Sequence, residues 1–246
     1  MGSSPSRFRT LTYGHRAKIG MMIPSSNTAS ETQVRAMLPE GVSLHITRTK
    51  LTGSDEAAIA SMTDSIEDDA ELLNHLEPDL IFFHCTAATT FAPGVDDNIV
   101  ERIERQTGRR AAATSMGLLR ALERLNARTV SLVTPYIDAI NTREVNYLAH
   151  HGFTVINELG LGIEQTPDMF EVSPERWLEL GEQHTHPDAD VCFLSCAATR
   201  AFECIEALEE RIERPVLTSN QLAAWHALRC LGVDDHVAGF GRIGSL

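Results

Sequence analysis

Two cysteines stand at matched places in this chain of 246 residues. "DLIFFHCTAATTF" carries Cys85 and "DVCFLSCAATRAF" carries Cys196, each thiol six residues after an aspartate and each followed by small or hydroxyl-bearing residues. The copies lie 111 residues apart, and Pro24 with Pro135 and Gly41 with Gly152 keep the same offset. A cysteine can attack carbon or exchange a proton, in either case through its thiolate. A thiol at the end of a strand, near the backbone N–H groups of the turn that follows, has the setting that lowers its pKa. A lone free cysteine is most often a small buried hydrophobe. Two at matched positions of a repeat point instead to one shared cleft.

Such a cleft needs two similar scaffolds. "IGMMI" to Ile23, "LIFF" to Phe83, "VSLV" to Val133 and "VCFL" to Leu194 are short continuous apolar runs, the pattern of strands covered on both faces. Weaker strand signals lie at Ser43 to Thr47, Arg110 to Ala113, Thr154 to Asn157 and Pro215 to Leu217. Amphipathic stretches at Ser54 to Leu76, Asp96 to Gln106, Asp138 to His150 and Phe202 to Arg211 read as helices. This alternation predicts an α/β fold of two pseudo-symmetric lobes, each a parallel doubly wound sheet flanked by helices. Ligands of such sheets sit beyond the carboxyl ends of the strands, which puts the active site in the cleft between the lobes. The expected organisation is a flexible tail at 1–14, a first lobe from 15–116 plus 221–246, and a second lobe at 117–220.

The other candidates carry less. Cys192 lies inside an apolar strand and Cys204 and Cys230 within helical stretches, which suits core packing. His84 is next to Cys85, but successive strand residues point to opposite faces, so the two do not form a catalytic pair. His184, His186 and Asp188 in "HTHPD" fall in a polar loop with no fourth ligand, and a metal site is not expected. "GFGRIG", Gly239 to Gly244, matches a dinucleotide fingerprint in letters alone, because the chain stops two residues later with no helix to receive a pyrophosphate. "PSSNT" (Pro24 to Thr28), "TPY" (Thr134 to Tyr136) and "TSNQ" (Thr218 to Gln221) supply uncharged donors at strand ends; each alone suits a helix cap, and together they suit a carboxylate.

With 21 basic and 34 acidic side chains the net charge is −13, which repels nucleic acid and anionic membranes. No apolar stretch approaches a membrane-spanning length and no signal peptide is evident, so a cytoplasmic protein is expected. Five cysteines without a C-x-x-C pair read as reduced thiols. "MGSSPS" satisfies the letters of a myristoylation site, but Pro5 and the lack of following basic residues argue against one.

"IGMMIPSSNT", the strand ending in "CT", "TPYID", "LSC" and "PVLTSNQLAAWHALRCLGV" together resemble the aspartate/glutamate/hydantoin racemase superfamily. They are closest to its branch of maleate cis-trans isomerases and arylmalonate decarboxylases. The resemblance runs from Ala17 to Gly241. It implies two lobes around a cofactor-free site with one catalytic cysteine from each, here Cys85 and Cys196. Arylmalonate decarboxylases carry glycine where Cys85 stands, so both cysteines together imply an isomerase or racemase. By the same resemblance Asn27 and Tyr136 hold substrate carboxylate. A further substrate-binding Asn of maleate isomerases falls in "LGIEQTPDMFEV", where the best match is Thr166. Ser25, Thr86, Ala87 and Ala197 complete the expected binding set through hydroxyl or backbone N–H groups. The implied function is maleate-type isomerisation of a small unsaturated dicarboxylate by cysteine addition, bond rotation and elimination, in a homo-oligomer without metal or cofactor. The alternatives are a two-cysteine racemase, an arylmalonate-type decarboxylase and, outside catalysis, a carboxylic-acid binding protein.

Overall fold

A computed structural model describes residues 12–51 and 56–246. The "MGSSPS" segment and most of the expected tail lie outside the described residues, as do Ser54 and Asp55 of the first expected helix. Eight strands among the described residues form two sheets of four. The first holds β1 (Ala17–Pro24), β2 (Val42–Thr49), β3 (Leu80–Phe83) and β4 (Ala111–Ala113) in the order β2-β1-β3-β4. The second holds β5 (Thr129–Thr134), β6 (Thr154–Gly160), β7 (Val191–Leu194) and β8 (Val216–Thr218) in the matching order β6-β5-β7-β8. All neighbouring strands run parallel. The central strands are the apolar runs: every residue of β3 and β7 is buried, because helices cover both faces.

In the first half the helices are α1 (Ser30–Met37), α2 (Glu56–Ser61), α3 (Ile66–Asn74), α4 (Thr86–Thr89), α5 (Val95–Thr107) and α6 (Thr114–Arg124). In the second they are α7 (Asp138–His150), α8 (Thr166–Glu171), α9 (Pro174–His184), α10 (Ile205–Ile212) and α11 (Ser219–Cys230). The single helix expected over Ser54 to Leu76 is broken at Met62–Ser65. There hydroxyls compete for backbone acceptors: Ser61 Oγ donates to Ala58 O at 2.9 Å and Thr63 Oγ1 to Ala60 O at 3.0 Å. The stretch from Phe202 likewise starts as a 3₁₀ turn, Ala201–Cys204, before α10. "GFGRIG" ends in another 3₁₀ turn, Arg242–Ser245, whose first amide is held by the Glu209 carboxylate.

The aspartate of the repeated motif is a clamp. Asp79 accepts from Lys18 N at 2.8 Å, and Asp190 accepts from Arg128 N and Thr129 N at 2.7 and 2.9 Å. Each thereby fastens the start of the cysteine-bearing strand to the start of its neighbour. The halves are joined by α11, which follows β8 yet packs on α1 and α6. Thr218 and Gln221 form a capping box that fixes its first turn. One apolar core runs through both sheets, and a second, built on Met22, Phe83, Ile99 and Met169, closes around the two thiols. No helix among the described residues is long and apolar enough to cross a membrane.

Candidate active site

In each sheet the chain leaves the first central strand to one side and returns for the second on the other, so a crevice opens beyond the carboxyl ends of β1 and β3, and of β5 and β7. The last paired rungs are Met22 with Phe83 and Val133 with Leu194. Two residues beyond the second member of each rung come Cys85 and Cys196. Both line one cavity, with Pro24, Asn27, Leu51, Ile59, Thr86, Ala87, Tyr136, Ile140, Thr166, Met169, Ala197 and Ala198 around them. It leaves about 40 Å³ for the centres of water-sized molecules, roughly three waters, a volume suited to a small ligand. Its lining contains no Lys, Arg or His among the described residues.

The two thiols are held differently. Cys85 is extended backbone at φ −154° and caps the single turn α4; amides of Ala88 and Ala87 reach its sulfur. Cys196 has φ +102°, a strained conformation for a non-glycine residue that costs on the order of 1–3 kcal/mol. Its N–H donates to Ser219 Oγ at 3.0 Å, Ala198 N donates to its sulfur at 3.4 Å, and Met169 Sδ lies 4.0 Å from that sulfur. The Tyr136 hydroxyl also bonds to it.

Both cysteines are buried, each 6% exposed, and this overturns the expectation of strand-end thiols poised as thiolates. Burial pushes Cys85 up to about 12, against the opposing pull of the Ala88 and Ala87 amides. It pushes Cys196 up to about 11, against Tyr136 and the Ala198 amide. The amides act as expected, but desolvation outweighs them.

The remaining expected residues divide. Thr86, Ala87, Tyr136, Thr166 and Ala197 line the cavity. Ser25 does not: its side chain is exposed, and its hydroxyl exchanges hydrogen bonds with Leu51 N and O at 3.1 and 3.4 Å. Asn27 lines the cavity with its hydrogen-bonding capacity already engaged. Its Oδ1 accepts from Ala29 N and Ser30 N, both at 2.9 Å, and its Nδ2 donates to Ser30 Oγ at 2.9 Å and to Ala197 O at 3.0 Å across the cleft. In this state it is a fastener between the halves. Thr86 Oγ1 is likewise bonded to Ser219 Oγ at 2.7 Å.

His84 faces away from the thiols and is fully buried. Its Nε2 donates to Asn220 Oδ1 at 2.6 Å, so Nδ1 accepts from the Thr114 hydroxyl at 2.8 Å. Burial pushes it down to about 4, and the ring is neutral at pH 7. Cys192 and Cys204 are buried in the first core, and Cys230 is half-buried against His226, 3.6 Å from Nε2. Among the described residues no group of three or more His, Cys, Asp or Glu is placed to hold a metal ion. His186 and Asp188 pair with each other in an exposed loop.

Sequence reasoning missed Leu51, Ile59, Ile140 and Met169, apolar residues from four separate elements and loops whose convergence has no local signal. It also read Ser219 and Asn220 as ligand donors, whereas they stand behind the wall. Asn220 donates to Ala197 O at 3.0 Å and to Gln33 Oε1 while accepting from Ser30 and His84.

A sequence profile of the arylmalonate decarboxylase family matches residues 19–244. The maleate isomerase of Nocardia farcinica (strain IFM 10152) is 26% identical over 237 residues, covering 92% of this chain and 94% of that protein. The arylmalonate decarboxylase of Bordetella bronchiseptica is 30% identical over 140 residues, 56% of this chain and 58% of that one. Among solved structures, a cysteine-to-serine mutant of Nocardia farcinica maleate cis-trans isomerase with a covalently bound succinylcysteine intermediate matches with a TM-score of 0.89 at 23% identity, over 93% of this chain and 98% of that chain.

Proposed function

The chain belongs to the arylmalonate decarboxylase family, and from that premise we propose that it is a cofactor-independent, maleate-type cis-trans isomerase of a small unsaturated dicarboxylate. The observation that carries this reading is the pair of thiols, one from each half, lining a single small cavity. Cys85 occupies the place where the decarboxylases' pattern has glycine, which favours isomerisation over decarboxylation. The succinylcysteine in the Nocardia farcinica structure gives the reading a chemical precedent.

In the proposed reaction the Cys85 sulfur bonds to one alkene carbon while Cys196 delivers a proton to the other. The proton lost by Cys85 replaces the one Cys196 gave, so the net change is addition of S–H across C=C. Rotation about the new single bond follows. Cys196 then takes a proton from carbon, and the electron pair of that C–H bond re-forms the alkene in the trans arrangement. The C–S bond breaks with its pair leaving on the Cys85 sulfur, which regains hydrogen from the proton Cys196 releases. Charge building up on the neighbouring carboxylate faces Tyr136, Thr86 and the backbone N–H groups of Ala87, Ala88, Ala197 and Ala198. Asn27 Nδ2 reaches a carboxylate only by giving up its bond to Ser30 Oγ or its cross-cleft bond to Ala197 O. Thr166, at the start of α8, is the uncharged side chain assigned to the second carboxylate. Chemistry by free thiols also supports a reducing, cytoplasmic setting.

Proton NMR on maleate tests the proposal: the cis-alkene signal should be replaced by the trans signal. Cys85→Ser should lose about a hundredfold or more of the rate, the usual scale for removing a catalytic group, while Cys196→Ser should accumulate a substrate-mass adduct on the Cys85 peptide. Retention of more than about a tenth of the rate by Cys85→Ser would remove it as nucleophile. A racemase would instead exchange the α-proton of a chiral acid for deuterium, with no adduct and no turnover of maleate or its substituted relatives.

A further inference from the structure

Behind the wall formed by Tyr136 and Cys196 lies a carboxyl group that the reaction above does not use. Glu144, on α7, has no exposed surface. Its Oε1 accepts from Ser195 Oγ at 2.7 Å, and its Oε2 has no partner. Ser195 directly precedes Cys196. Burial pushes Glu144 up to about 7, the Ser195 bond opposing. Beyond the dominant effect of burial, the charge of ionised Glu144 raises both Cys196 and Tyr136, so this carboxylate is felt inside the cavity.

The repeat offset of 111 residues places Gln33 at the corresponding point of the first half. Gln33 is also buried, but as a neutral amide with both ends engaged: Nε2 donates to Thr199 O at 2.9 Å and Oε1 accepts from Asn220. The scaffold therefore accepts an uncharged amide here. An ionisable group in the second half alone is not required by the fold.

No ion pair to Glu144 is present among the described residues. Several charged groups on α7 and the elements near it are engaged elsewhere. Glu158 of β6 is bound by Asn141, Asp96 of α5 by Ser115 and Tyr147, and Arg143 lies over the Phe91 ring. A dianion entering the cavity thus meets no cation in its lining and a carboxylate just behind it. Like charges in a poorly solvated site favour protonation of the group that can take a proton. Cys85, Cys196 and Tyr136 are already protonated at pH 8, because burial raises all three. Only Glu144 has a site to fill.

We propose that Glu144 is a positioning residue that takes up one proton from solvent when a dicarboxylate binds, so that the cavity accepts the dianion with this carboxyl neutral. The inference rests on the dicarboxylate reading of the cavity. Ligand affinity should then fall as pH rises above the point where Glu144 ionises in the free protein, by up to about tenfold per pH unit.

Isothermal titration calorimetry with succinate, which binds as a diacid but has no alkene to isomerise, tests this in two buffers of different ionisation enthalpy at pH 8. The wild-type protein should take up close to one proton per succinate, and Glu144→Gln close to none. From pH 7 to 9 the wild-type affinity should decline while that of the variant stays flat. Binding without uptake in the wild type, or uptake retained by the variant, would overturn the proposal and leave the dicarboxylate reading in place. Absence of succinate binding to both proteins would overturn both. The wild-type proton count decides the matter even where the variant does not fold.

Discussion

The same carboxyl makes a stability prediction that needs no ligand. A buried glutamic acid raised from 4.5 to about 7 holds its proton in the folded chain at pH values where the unfolded chain has lost it. Folding stability therefore falls as pH rises through that window, and the loss is complete above about 7. At about 1.4 kcal/mol per pH unit the full loss is on the order of 3 kcal/mol, and most of it, about 2–3 kcal/mol, falls between pH 5 and pH 8. Glu144 is fully buried, so solvent screening does not reduce the effect. Glu144→Gln keeps an acceptor for Ser195 and removes the titration. The stability of the variant relative to wild type should accordingly rise by about 2–3 kcal/mol on going from pH 5 to pH 8. Urea unfolding followed through the buried Trp177 and Trp225 measures it, and other titrating groups cancel in the comparison. A difference between the two proteins that stays constant within about 0.5 kcal/mol, well below the linkage expectation, would show that Glu144 does not titrate near neutrality.

Two further tests concern the thiols and the fastener. With Cys85 near 12 and Cys196 near 11, about one thiol in a thousand or fewer is ionised at pH 8. Iodoacetamide should therefore modify half-buried Cys230 first, and its labelling of Cys85 and Cys196 should accelerate about tenfold per pH unit up to pH 10, with protection by dicarboxylate. Peptide mass spectrometry reads the order, and rapid labelling of either cavity thiol at pH 7 would refute the burial argument. Asn27→Ala removes two donors and two acceptor contacts from a buried junction and should cost about 2–3 kcal/mol by urea unfolding. A loss under about 0.5 kcal/mol, the scale of an ordinary surface change, would show that the cross-cleft bond to Ala197 contributes nothing.

What a single sequence conveys here depends on how local the cause is. Continuous apolar runs such as "LIFF" and "VCFL" mark central strands because burial on both faces demands it, and β3 and β7 follow those four-residue runs. The shared offset of prolines, glycines and cysteines predicted two similar halves, and the sheets have matching orders. Side-chain partners are another matter. Nothing near Ser25 in the chain announces that its hydroxyl will meet Leu51, and nothing near Asn27 announces Ala197, 170 residues away. The thiol pKa values failed as expectations for the same reason. The amides that lower them are the next two or three residues, whereas the desolvation that wins comes from Ile140, Met169 and other residues brought in by tertiary packing.

The places where the two halves disagree are as informative as those where they agree. Matching strand orders and the paired aspartate clamps carry both thiols to the same cavity. Around the thiols the copies part: His84 stands against Ser195, Thr86 against Ala197 and Gln33 against Glu144 at the repeat offset. Behind Cys85 the resulting network is neutral, with His84 and Gln33 both tied to Asn220. Behind Cys196 it is a single ionisable carboxyl on Ser195. The backbone differs in step, extended at Cys85 and at φ +102° at Cys196. Two equivalent thiols would suit a symmetric exchange of protons across a stereocentre. Thiols set in unlike surroundings suit unequal tasks, one forming a bond to carbon and the other moving a proton, which is why the local asymmetry, more than the repeat itself, favours the isomerase over the two-base racemase.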